Sequence, residues 1–147
     1  MVSDWPGYEY ASKAQFRIGN CYEGLRYTGA LSESEANPKI EHAYQAVVEK
    51  YLDSESAPYA ALKLGQLNFD RNQWVDAAMY FELFLEKSPD GPGRPSVLYD
   101  LGRAYEKMGE PDMAAEIYVK FINMAQPTDP RIKTARAIIE KLEGVNK

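Results

Sequence analysis

The sequence predicts an all-α protein built as a solenoid of stacked helical hairpins, and three observations predict it. One pattern recurs at a separation of 37 residues, so that Leu64-Gly65 falls on Leu101-Gly102, Ala77 on Ala114, and Phe81 on Tyr118. Within a copy the apolar residues are spaced as one face of a helix, for example Ala77, Phe81 and Phe84 at i, i+4, i+7. A glycine also stands in register mid-helix in each copy, at Gly19, Gly65 and Gly102. Such a glycine costs about 1 kcal/mol against alanine unless a close helix contact needs it.

The elements follow from these registers. Stepping back 37 residues places Ile40, Tyr44 and Val48 on Ala77, Phe81 and Leu85. The first glycine precedes the second by 46 residues, so nine extra residues lie between Gly19 and Tyr44. The stretch from Thr28 to Pro38 is rich in small, polar and turn-forming residues and is expected to hold them as a loop. Helices are expected at about 11–27, 38–52, 57–71, 74–88, 95–108, 111–125 and 130–143. Asn72 and Gly109 sit at hairpin turns, where a left-handed residue ends a helix. Pro38, Pro111 and Pro130 are placed as first helical residues.

Composition agrees with a folded domain and removes several functions. A chain of 147 residues, 45% hydrophobic and 27% charged, fits one compact unit. The net charge is −5 and the basic residues are scattered, often directly after an acid as in Glu86-Lys87, so no nucleic-acid footprint appears. No apolar run approaches the roughly 18 residues of a membrane span, so direct membrane insertion is not expected. The chain opens Met1-Val2-Ser3-Asp4-Trp5-Pro6, without a basic start or an apolar stretch.

Catalytic and metal chemistry have no support. With one His and one Cys, no zinc-type cluster can assemble. His42 aligns with Met79 and Glu116 and is expected to face solvent. Cys21 aligns with Leu67 and Ala104 beside the glycine seam and is expected to be a buried thiol. Gly91-Pro92-Gly93 lacks the Lys-Ser/Thr of a phosphate loop. Glu33 and Glu35 are expected in the polar loop. No cofactor is implied, and the chain does not read as an enzyme.

The motifs resemble the tetratricopeptide repeat, whose signature Leu-Gly-x-x-Tyr, Ala-x-x-x-Phe, Pro has a usual period of about 34 residues. It stands here as Leu101-Gly102-Arg103-Ala104-Tyr105 with Ala114 and Tyr118. It recurs as Leu64-Gly65 with Ala77, Phe81 and Pro89, and as Ile18-Gly19-Asn20-Cys21-Tyr22 with Tyr44. Asn68 for the Tyr, Ile40 for the Ala and Leu52 for the Pro are departures. The resemblance implies a right-handed α-solenoid of about three hairpins. These would be repeats at about 8–52, 53–89 and 90–126 in a single domain over 1–147, with a C-terminal capping helix at 130–143. The junction Lys50-Tyr51-Leu52-Asp53-Ser54 before Ala57-Pro58-Tyr59-Ala60 is similar to junctions of bacterial envelope members such as outer-membrane assembly lipoproteins and Tol–Pal accessory proteins. This implies a periplasmic or envelope origin, with the cytoplasm as the alternative. Trp5-Pro6-Gly7-Tyr8 resembles the same junction without the helix that should precede it. The chain is therefore expected to be a piece of a longer array. The first helix is expected to expose an apolar strip around Ala14 and Ile18 and to self-associate through it.

In that family the first helices line a groove. Carried over, the groove positions of the first repeat are Lys13, Phe16, Asn20 and Glu23. Those of the second are Tyr59, Leu62, Gln66, Phe69 and Asp70, and those of the third Ser96, Tyr99, Arg103, Glu106 and Lys107. Rings with scattered polar groups suit a peptide segment or helix of another protein. Some family members clamp chaperone C-termini with Lys and Asn, then Asn, then Lys and Arg. Here Asn20 matches, but Phe16, Lys63, Ser96 and Asp100 occupy the other places. The expected function is a protein–protein interaction scaffold. A structural spacer or oligomerisation segment, and a regulatory domain of a larger enzyme, are the alternatives.

Overall fold

The computed structural model describes residues 6–88 and 93–145. Among these there are seven α-helices and no strand: α1 (Pro6–Tyr27), α2 (Glu33–Lys50), α3 (Ala57–Asp70), α4 (Trp74–Lys87), α5 (Arg94–Lys107), α6 (Pro111–Met124) and α7 (Arg131–Val145). Trp5, Pro89, Gly91 and Pro92, and the polar end at Asn146 and Lys147, lie outside the described residues. The chain forms two compact units, Met1–Leu67 and Asn68–Lys147.

Two boundaries differ from expectation by a turn or more, and Pro130 stands just before α7 rather than as its first residue. α1 begins about a turn earlier, at Pro6, which suits proline because the first turn has no use for its missing N–H. α2 begins at Glu33, so the expected loop is shorter and Pro38 lies inside the helix rather than at its start. The cause is a reciprocal cap. Ser32 Oγ accepts from the Glu35 amide at 3.2 Å, and Glu35 Oε2 accepts from the Ser32 amide at 3.1 Å. Glu33 and Glu35 are therefore first-turn residues, where a carboxylate also meets the positive end of the helix dipole. Pro38, the sixth residue of the helix, forfeits one backbone bond to Ser34.

The first unit is held by α1 against α2. Gly19 faces the fully buried Tyr44 ring so closely that any side chain there would collide with it. Ile40, Ala43 and Val47 bury the rest of α2's inner face. Ile40 and Val47 each contribute about 1.5–3 kcal/mol when fully buried. The buried hydroxyls are paired: Ser12 Oγ donates to Ser54 Oγ at 2.7 Å, and Ser54 Oγ donates to the Tyr51 carbonyl at 2.6 Å. This ties the start of α1 to the link after α2.

In the second unit α4 packs on α5, α5 on α6, and α6 on α7. The glycine contact repeats, with Gly102 against the buried Tyr118 ring. Asn72 (φ 61°) and Gly109 (φ 76°) take the left-handed conformation expected of them. Each lets the following amide bond back across the helix end, Gln73 N–H to Asn68 O at 2.9 Å and Glu110 N–H to Tyr105 O at 3.0 Å. Arg94 closes the other end of α4, donating from Nη1 to the carbonyls of Leu85 (2.7 Å) and Ser88 (3.1 Å).

Candidate functional site

The groove positions of the first unit lie on α1 and α3. Phe16 is half-buried because it packs on Tyr44, with ring centroids 5.3 Å apart. Lys13 and Asn20 are exposed, each about one helical turn from Phe16 along α1. Asn20 is nevertheless held: the Tyr44 hydroxyl crosses beside Gly19 and donates to Asn20 Oδ1 at 2.7 Å. That bond fixes the amide orientation and leaves the Asn20 NH2 group free to donate outward. Burial, and then the neighbouring Glu23 carboxylate, push the Tyr44 phenol far above its ordinary pKa, so it remains a donor. Glu23 pairs with Lys63 at 3.0 Å and Lys13 with Glu55 at 3.8 Å. Tyr59 and Gln66 are exposed, and Leu62 is half-buried.

The second unit builds the same device from different groups. Phe69 is half-buried against Trp74 and Phe81, at 5.0 and 6.2 Å between centroids. The Arg103 guanidinium lies over the Phe69 ring, 4.8 Å from its centroid, and pairs with Asp100 at 3.5 Å. Tyr99 packs on Tyr118 and Phe121. Tyr118, beside Gly102, donates its hydroxyl to Glu106 Oε2, as Tyr44 does to Asn20. Asp70, Ser96 and Lys107 are exposed. Burial raises the Asp100 carboxyl above its ordinary value, while Arg103 opposes the rise.

Other outcomes vary. His42 is exposed, as expected. Cys21 is exposed rather than buried, which corrects the expectation: its equivalents Leu67 and Ala104 are buried, but α1 has no helix on that side among the described residues. Sequence reasoning passed over Arg131. Its guanidinium lies over Tyr99 and Phe121, donates to Ser96 Oγ at 3.0 Å, and pairs with Asp129 at 2.7 Å. A signal was present, since Arg131 follows Arg94 by the repeat separation of 37 residues. Among the described residues, no group of three or more His, Cys, Asp or Glu side chains could hold a metal. No helix among them is long and apolar enough to cross a membrane.

Comparison with known proteins agrees with this architecture. Residues 59–91 and 96–124 match the tetratricopeptide repeat family model. No curated protein sequence matches the chain. Among solved structures, the N-terminal domain of stress-induced protein-1 (STI-1) from C. elegans superposes with a TM-score of 0.67 at 13% identity, covering 97% of this chain and 100% of that one. The two matched stretches are thus similar to tetratricopeptide repeats, and the fold is that of a tetratricopeptide-repeat solenoid. Such domains generally mediate protein–protein interaction and are typically non-enzymatic scaffolds. Nothing in the comparisons supports the envelope subgroup.

Proposed function

We propose that this protein is a protein–protein interaction scaffold, and that the groove faces of its first helices hold a peptide segment or helix of another protein. One observation carries the reading. In each unit a buried second-helix tyrosine reaches past a glycine to fix a polar group on the first-helix face, Asn20 through Tyr44 and Glu106 through Tyr118. Polar groups fixed before binding lose little entropy when a ligand meets them. Half-buried rings beside them, Phe16 and Tyr99, offer apolar anchoring. A solvated face with no binding role would not need its polar groups tethered to the core.

The test is affinity capture from the proteome of the source cell, followed by mass spectrometry, with wild-type protein and with Asn20→Ala and Arg103→Ala variants. A protein retained by the wild type and lost by either variant is the expected result. Identical captured sets for all three would overturn the reading in favour of a structural spacer.

A further inference from the structure

We draw no further inference here: the strongest candidate, the hollow at the hairpin-turn edge of the second unit walled by Trp74, Val75 and Met108, carries nothing, because its two carboxylates, Asp76 and Glu110, already serve the starts of α4 and α6 and nothing in the structure shows what would cover it.

Discussion

A Cβ placed on Gly102 would stand 2.7 Å from Cε1 of Tyr118, and within 2.9 Å of two further atoms of the same ring. Tyr118 is fully buried and its hydroxyl is bound to Glu106, so the ring cannot swing away without releasing that carboxylate. Gly102→Leu should therefore destabilise the protein by about 1–3 kcal/mol. Gly102→Ala should also cost stability, reversing the usual preference for alanine inside a helix. Urea melts check both. If Tyr118→Leu largely rescues Gly102→Ala, the collision is with that ring; an unchanged midpoint for Gly102→Leu would show the contact to be absent.

Ser32→Ala should cost about 1 kcal/mol, the usual worth of an N-cap. The loss should be local. Amides at the start of α2 should exchange faster with deuterium, while those of α6 keep their protection. Unaltered exchange across 33–38 would mean that the cap does not hold the helix start.

Burial, only partly opposed by Arg103, raises the Asp100 carboxyl above its ordinary carboxylate pKa in the folded state. A carboxyl raised in this way disfavours the folded state once ionised. Its relative contribution is fully present below the unfolded pKa and is lost as pH rises through the folded one. Asp100→Asn should thus raise the melting temperature near pH 7, and the advantage should fade as pH falls into the carboxylate range. A stability loss near pH 7 would show that the pairing with Arg103 outweighs the burial.

Acidic C-terminal peptides of the EEVD kind should not bind. Of the clamp positions only Asn20 carries the matching residue, and its side-chain oxygen already accepts from Tyr44. Lys63 is paired with Glu23, and Asp100 supplies a carboxylate where a cation would be needed. Titration calorimetry should register no heat of binding. Micromolar affinity lost in Asn20→Ala would show the groove to be read wrongly.

The helical register was legible in the sequence because it depends on period alone. A 37-residue separation that keeps Gly65 on Gly102 and Phe81 on Tyr118 also fixes where the hairpins turn, and Asn72 and Gly109 adopt the backbone that those turns require. Which first-helix residues share a face was also readable, since residues one and four positions after a mid-helix glycine lie on the same side. Only the tertiary structure decided which of those residues are tethered. The bond from Tyr44 to Asn20 joins residues 24 apart, and the one from Tyr118 to Glu106 joins residues 12 apart. No local pattern announces either bond. Cys21 shows the same limit from the other side. Its repeat position marks it as buried, but burial is a property of the neighbour and not of the residue. Among the described residues that neighbour is present for Leu67 and Ala104 and absent for Cys21.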